Sequence, residues 1–396
     1  MKLKHLRYLL PILFACSCNT EEPADLNEEI LLRYYDLDIP FFTENNQEYH
    51  EKPLYLAFKN WIEGNESKYL EHLEQAQRHE CDSAKQISKL LFKAYLKSGH
   101  SKKALELNKS EKLGFDQREH TEHAKSIFGK PRLRMNVDST TVKFDRFYFK
   151  AVVHRSDTVK VMLDTGAPGI SVSKELVEKY NWEKDTTHFD VASVAMLNIT
   201  YNRYPVLIPN LSIGDAHLYN IAATFDDPST EDKKKLNIAG VQDFDILMGL
   251  DVFYDLIDGI DFNYKDEKLT LIKRIDKYSA IPNFIRVSGK PAIRFKIENT
   301  WKKAFLDTGS PKHVLTKDII ENSKVLNKRE GSYGNFIYGL HTILVDELLN
   351  LSNTEIEFAD YGGRVVDKTF NIKHLFGTFH DKNLSFDLKN RVVTLK

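Results

Sequence analysis

One nine-residue pattern occurs twice in this chain. The first copy, KVMLDTGAP, spans residues 160–168, and the second, KAFLDTGSP, spans residues 303–311. The copies stay in gapless register at an offset of 143 residues. In each copy an apolar segment leads into Asp-Thr-Gly, which is typical of a strand that enters a tight turn. A duplicated unit of this kind places Asp164 and Asp307 at equivalent positions, and we expect their carboxylates to meet.

A second similarity follows each motif in the same order. In the first half, Gly249 ends an apolar segment and precedes a strand-turn-strand pattern at 260–271. In the second half, Gly377 ends a similar segment and precedes the matching pattern at 384–395. Motif order together with its context is more specific than any single pattern. We therefore predict two homologous lobes, with a boundary near residues 276–282.

The pattern of residue types along the chain changes near residue 132. Beyond this point, short β-branched and aromatic segments alternate with turn residues, a pattern that favours strands. The best helical patterns lie at 173–180 and 316–323, one after each Asp-Thr-Gly. The run at 231–235 changes from acidic to basic, and we expect a solvated, mobile surface loop there. The sequence thus predicts a mainly β architecture with few short helices.

The preceding region, from about residue 26 to residue 113, is predicted to be helical. Apolar residues recur at steps of three and four through 83–98, and Gly99 ends that pattern. The spacing through 94–105 resembles one tetratricopeptide-type helical hairpin, but a solenoid needs about three repeats. We predict a small helical bundle that packs on the domain behind it.

The first 18 residues are typical of a bacterial lipoprotein signal peptide. Basic residues precede a short apolar core, and the core ends at Cys16, with Cys18 as a second possible lipidation site. The core is too short to span a bilayer as a permanent helix. We expect a lipid-anchored protein of the bacterial cell envelope, facing the periplasm or in the outer membrane. An ordinary cleaved signal peptide is the alternative.

Charge and composition exclude several classes of function. The 56 basic and 57 acidic residues nearly cancel, so no nucleic-acid partner is expected. The three cysteines are Cys16, Cys18 and Cys81, too few for a disulfide scaffold and poorly placed for a Cys-based metal site. The 14 histidines show no recognisable ligand spacing, and acidic residues near 226–232 lack the alternating ligand pattern of a calcium loop. No metal or organic cofactor is expected.

The paired motifs resemble those of the aspartic peptidases, over about residues 137–396. The short lobes and the Asp-Thr-Gly-Ala of the first copy are more similar to a fused retropepsin-like bacterial protease than to full-size pepsins. The resemblance implies that each lobe is a closed β-barrel and that Asp164 and Asp307 form a catalytic dyad at the lobe interface. It also implies supporting roles around the dyad for Thr165, Gly166, Thr308, Gly309 and Ser310.

The chemistry fits these residue types. Peptide hydrolysis needs a base to activate water and an acid to protonate the departing amine. Two close carboxylates do both, because like charges at that separation share one proton. Pro168 and Pro311 stand where pepsins usually carry a second hydroxyl residue, and Ala167 lacks the hydroxyl of Ser310. We therefore expect the two aspartates to differ in environment.

The sequence predicts an aspartic endopeptidase that acts on peptides or exposed protein segments. A flap over the substrate is expected at 198–204 or 331–339. One alternative is a non-catalytic envelope lipoprotein that binds a peptide or partner with a protease-like fold. Another is that the helical region acts as an inhibitory prosegment. The predicted domains are the signal peptide at 1–18, the helical region at 19–130, and the two lobes at 131–278 and 279–396.

Overall fold

The architecture comes from a computed structural model of the chain. It describes residues 26–44, 46–78, 83–113, 128–154, 156–187, 189–194, 199–238, 244–276, 280–333, 336–360, 367 and 369–396. The predicted signal peptide with Cys16 and Cys18 lies outside the described residues, as does Cys81. Among the helices within those ranges, none is long and apolar enough to cross a membrane.

Six helices form the N-terminal part of the described structure. Prolines and small polar residues set some of their limits: Pro53 opens the third helix, and the Asn65 side chain accepts a hydrogen bond from the backbone of Lys68 at the start of the fourth. Gly99 has a φ of +79° just after the fifth helix, a conformation that suits glycine. The helices are α1 Leu26–Tyr35, α2 Ile39–Thr43, α3 Pro53–Ile62, α4 Glu66–Gln77, α5 Ala84–Lys97 and α6 Ser101–Ser110.

The helical region shares a hydrophobic core with the second lobe. Phe305 and Phe370, from the C-terminal half of the chain, lie in the same buried cluster as the helix residues. The Tyr34 ring stacks on Phe58 at 3.8 Å between centroids and meets Phe370 edge-on at 5.3 Å. Lys303 Nζ donates to the backbone carbonyl of Tyr35 at 3.0 Å. The predicted helical bundle, packed on the domain behind it, is therefore confirmed.

The first lobe contains a closed barrel of six strands. Its strands pair in the ring order β3, β4, β9, β5, β8, β7 and back to β3. The elements of this lobe are β1 Arg132–Arg134, β2 Ser139–Asp145, β3 Tyr148–Val153, β4 Asp157–Leu163, β5 Ile170–Ser173, α7 Lys174–Tyr180, β6 Asp190–Val194, β7 Ile199–Ile213, β8 Ala216–Asp227, α8 Thr230–Ile238, β9 Ile246–Met248, β10 Gly259–Asn263 and β11 Lys268–Ile272.

The second lobe repeats this arrangement. Its ring order is β13, β14, β19, β15, β18, β17 and back to β13. The elements are β12 Phe284–Val287, β13 Lys290–Ile297, β14 Thr300–Leu306, β15 His313–Leu315, α9 Lys317–Asn322, β16 Val325–Tyr333, β17 Phe336–Leu348, β18 Leu351–Asp360, β19 His374–Phe376, β20 Leu384–Asp387 and β21 Val392–Leu395.

The parallel pairs also correspond between the lobes. Strand β4 runs parallel to β9, and β14 runs parallel to β19. A ladder between β10 and β20 adds the C-terminal strands β20 and β21 to the sheet of the first lobe, while the second barrel lies in a separate eight-stranded sheet. The predicted fold class, a mainly β chain of two homologous acid-protease lobes after a small helical region, is confirmed.

One local prediction is wrong. The run at 231–235 lies in α8, not in a loop. The acidic residues come first and the basic residues last in this helix, which suits its dipole. Lys235 Nζ also lies 2.8 Å from Glu231 Oε1 across one turn. The order of acidic and then basic residues along this segment thus stabilises a helix, although the charged composition of the run favoured a loop.

Candidate active site

Each Asp-Thr-Gly turn begins where a barrel strand ends beside its parallel neighbour. The backbone N–H of Asp164, just after β4, donates to the carbonyl of Met248 at 2.9 Å. The backbone N–H of Asp307, just after β14, donates to the carbonyl of Phe376 at 2.8 Å. Because the lobes repeat each other, these bonds place the two aspartates at equivalent ends of their barrels.

Two threonines tie the turns together across the lobe interface. Thr165 Oγ1 donates to the Leu306 carbonyl at 2.7 Å and accepts the Thr308 N–H at 2.9 Å. In return, Thr308 Oγ1 donates to the Leu163 carbonyl at 3.1 Å and accepts the Thr165 N–H at 3.1 Å. Both threonines are buried, with 0% and 1% of their surface exposed. These four reciprocal bonds fix the position of one turn relative to the other.

The glycines of the motifs face the opposite carboxylates. A Cβ atom on Gly166 would lie 2.3 Å from Cγ of Asp307, and one on Gly309 would lie 2.4 Å from Cγ of Asp164. No side chain fits at that separation. Each glycine N–H also donates to Oδ1 of the aspartate in its own turn, at 2.7 Å in the first lobe and 3.0 Å in the second. The structure therefore brings Asp164 and Asp307 together, in a symmetric frame of N–H donors.

The electrostatics of the pair favour one shared proton. Burial raises the pKa of Asp307 well above its usual range, and the like charge and hydrogen-bonding contact of Asp164 raise it further. The Gly309 N–H acts in the opposite direction because it stabilises the ionised form. Both aspartates are half-buried as residues. The pair can thus hold one proton and one negative charge while still meeting a water molecule.

Lys290 is a charged neighbour of the dyad that sequence reasoning missed. It is the first residue of β13, and its Nζ lies 4.5 Å from the centroid of the Phe305 ring. Burial lowers the pKa of Lys290, while Asp307 and Asp164 oppose that shift. Lys290 in turn lowers the pKa of Asp307. No pattern in the sequence distinguishes this lysine from the others, since its role depends on the β12–β13 turn packing against the dyad.

The later glycines lie beneath the two turns. A Cβ on Gly249 would lie 2.2 Å from the Ala167 carbonyl oxygen, and one on Gly377 would lie 2.4 Å from the Lys312 carbonyl oxygen. The Gly249 N–H donates to the Gly169 carbonyl at 2.8 Å. Each of these glycines therefore allows its segment to pass close to an Asp turn.

The residue types of the first lobe agree with a comparison to known protein families. Residues 149–252 match the sequence model of a family described as aspartyl protease, and this range includes Asp164 and Gly249. The first lobe is therefore similar to the aspartyl protease family. The chain is also similar to a crystal structure of a retropepsin-like aspartic protease from Rickettsia conorii, at 20% identity, covering 36% of this chain and 94% of that chain with a TM-score of 0.23. No curated protein sequence matches the chain.

The hydrogen bonds that support the Asp-Thr-Gly turn differ between the second lobe and the first. Ser310 Oγ donates to the Lys312 carbonyl at 2.8 Å, so this hydroxyl stabilises the turn. Thr378 Oγ1 adds hydrogen bonds to the carbonyls of Thr308 and Ser310. In the first lobe, a carboxylate oxygen of Asp251 accepts the Gly169 N–H at 3.0 Å instead. The two aspartates thus share the same N–H donors but sit above differently supported turns.

The two predicted flap segments lie in corresponding hairpins. The first, 198–204, begins at the β6–β7 turn and runs into β7, and the second, 331–339, spans the end of β16 and the start of β17. The connecting residues 195–198 and 334–335 lie outside the described residues. Their role as flaps stays a prediction. Across the ranges that the structure does describe, no group of three or more His, Cys, Asp or Glu side chains could hold a metal ion.

Proposed function

We propose that the protein is an aspartic endopeptidase in which Asp164 and Asp307 activate a water molecule for attack on a peptide bond. The observation that carries the proposal is the facing pair itself. Each carboxylate points at the glycine of the opposite turn, and reciprocal threonine bonds hold the turns in register. The aspartyl protease family of the first lobe supports the same reaction class.

In this proposal the dyad cycles one proton. With one proton between the carboxyls, the ionised group takes a proton from water while the protonated group donates to the carbonyl oxygen of the substrate. The second half of the reaction returns a proton to the departing amine. The acid and base roles belong to the pair, since the two titrations are coupled. The rigid cross-lobe bonds keep both groups oriented through these transfers.

The substrate would lie extended between the lobes. A peptide in this conformation can pair with the strand edges that border the cleft, and its side chains then alternate between the two sides. Peptides and exposed protein segments are therefore the proposed substrates. From the signal sequence at 1–18, we also propose a lipid anchor at Cys16 or Cys18 and a location in the bacterial envelope.

The packing of the helical region favours a permanent structural role over that of a removable prosegment. Its buried residues form one hydrophobic cluster with Ile285, Phe305 and Phe370 of the second lobe. Removing the helices would expose this apolar surface to water, which costs about 25 cal/mol for each square ångström. We therefore propose that the helices remain attached to the working enzyme.

A peptide library tests the proposal. The purified protein is incubated with the library across a range of pH, with and without an inhibitor that carries a hydroxyl group in place of the scissile carbonyl. We expect cleavage that the inhibitor blocks. Inhibitor binding without cleavage at any pH would instead identify a non-catalytic peptide-binding protein. A change in chain length during incubation would indicate self-processing.

A further inference from the structure

A cavity of about 410 Å³ lies where the helical region meets both lobes. We call it the junction cavity. Helices α3, α4 and α5 contribute one wall, including Trp61 and Tyr69. The first lobe contributes Pro168 and Gly169, and the second contributes the β12–β13 turn at 287–289. Three separate parts of the chain thus line one cavity.

The junction cavity adjoins the candidate active site on both lobes. Pro168 and Gly169 follow Ala167, the residue after the first Asp-Thr-Gly turn. Gly289, from the second lobe, precedes Lys290, whose charge acts on both aspartates. Chain neighbours of the dyad and of Lys290 therefore line the cavity.

The cationic groups at the cavity exceed their carboxylate partner. Arg286 Nη2 and Lys97 Nζ each lie 3.0 Å from Glu66 Oε1, and Arg391 Nη2 lies 3.9 Å from the same oxygen. Within the described residues, these three cations form ion pairs with no other carboxylate. Lys93 adds an exposed ammonium to the cavity lining. One carboxylate therefore serves three cations.

Two carboxylates also line the cavity. Asp251 Oδ1 accepts the Gly169 N–H at 3.0 Å, and Asp367 Oδ1 accepts the Phe370 N–H at 2.9 Å. These bonds from neutral backbone groups leave both negative charges in place, so the lining is of mixed charge.

Arg286 is the key group because it is both buried and incompletely paired. Only 3% of its surface is exposed, and it lines the cavity. Within the described part of the chain, its Nε and Nη1 have no hydrogen-bond partner, and neither does Nε1 of Trp61, which also lines the cavity. Burial lowers the pKa of Arg286 to about 10, which still leaves it cationic at neutral pH. Buried charged donors without acceptors are costly and rare, so the site is suited to an anion.

We propose that the junction cavity binds a carboxylate of the substrate, from an acidic side chain or from the free C-terminus. This assignment rests on the proposed peptidase function and names its substrate class. A carboxylate would accept charge-assisted hydrogen bonds from Arg286. The rings of Tyr34, Trp61 and Tyr69 would contact the apolar part of the same peptide. The unpaired donors of Arg286 and Trp61 then have one common partner.

The test uses peptides that differ only in one carboxylate. One set moves a single Glu or its Gln equivalent along a fixed sequence, and the other set ends in a free acid or an amide. The ratio of kcat/KM for each matched pair is measured with the wild-type protein. We expect the acid form to be favoured about tenfold or more, the range for a hydrogen bond to a charged group. The two sets separate a side-chain carboxylate from a C-terminal one.

Variants connect this preference to the cavity. The double substitution Arg286→Met/Glu66→Gln removes both charges of the buried pair, and Lys97→Met removes a neighbouring charge without changing Arg286. Both should lower the acid-to-neutral ratio toward one. Lys89→Met, an exposed lysine on the same helix that does not line the cavity, should leave the ratio unchanged. Circular dichroism and binding of the active-site inhibitor establish that each variant is folded.

A binding measurement keeps the two proposals separate. Fluorescence anisotropy of labelled acid and neutral peptides, with Asp164→Asn protein, reports on the cavity even if no peptide is cleaved. Tighter binding of the acid peptide, lost in the Arg286→Met/Glu66→Gln background, supports the cavity assignment whatever the fate of the peptidase proposal. Equal binding of acid and neutral peptides, or a preference that persists in that background, overturns the assignment.

Discussion

Thr308→Val is predicted to destabilise the protein much more than Thr308→Ser. Valine keeps the shape of threonine but removes the hydroxyl, which donates to Leu163 and accepts from the Thr165 N–H. Serine keeps the hydroxyl and loses only a methyl group. The comparison therefore separates the cross-lobe hydrogen bonds from simple packing at the same site.

The magnitude follows from the two partners that valine leaves behind. Thr308 is 1% exposed, so the Leu163 carbonyl and the Thr165 N–H would lose their bonds in a buried interface. Each unsatisfied buried group costs about 1–3 kcal/mol, which gives about 2–6 kcal/mol for the pair. Loss of the methyl group in the serine variant costs about 1 kcal/mol. The difference is a large fraction of the total stability of a typical domain.

Urea denaturation followed by tryptophan fluorescence measures the difference. The valine midpoint should fall well below the serine midpoint, with similar dependence on urea concentration. Cleavage activity should fall with the valine variant even at low denaturant, since the dyad loses its cross-lobe support. Equal midpoints for valine and serine would refute the claim that the reciprocal threonine bonds hold the lobes together.

Two pH effects are predicted from named groups. Burial lowers the pKa of His374 to about 4, below the unfolded value of about 6.5, so only the unfolded chain gains this proton between those pH values. The free energy of unfolding should thus decline as pH falls below about 6.5, by up to about 1.4 kcal/mol per pH unit. His374→Met should make the denaturation midpoint depend less on pH in this range. An unchanged pH dependence contradicts the role given to His374. Lys290 lowers the pKa of Asp307, so Lys290→Met should raise the pKa of Asp307. The alkaline limb of the plot of kcat/KM against pH should then move to higher pH. A limb that moves to lower pH, or stays in place, contradicts the role given to Lys290.

The sequence predicts the turns well because their chemistry is local. Each Asp-Thr-Gly carries its own strand exit, its N–H donor and a position where only glycine fits, and the second copy repeats all three. The order of Gly249 and Gly377 relative to these motifs then predicts two homologous lobes. The pairing of Asp164 with Asp307 follows from the duplication and the resemblance to aspartic peptidases.

Features that depend on contacts between distant segments could not be predicted in this way. Glu66 and Arg286 lie on different parts of the chain and meet only because the helical region packs against the second lobe, where α3 contacts β12. Lys290 reaches the dyad because the β12–β13 turn folds toward it. In the sequence these residues are ordinary surface-type charges, so neither the junction cavity nor the charge beside the dyad has a local signature.

The central claim is that Asp164 and Asp307 act as one catalytic pair. Asparagine has nearly the same shape as aspartate but cannot share or exchange the proton in the same way. Asp164→Asn and Asp307→Asn are each compared with wild type in peptide cleavage, after circular dichroism and thermal unfolding show an intact fold. The control is Asp266→Asn, at an exposed hairpin turn. We predict full activity for the control and loss of cleavage in both single dyad variants; wild-type activity in either dyad variant would contradict the account.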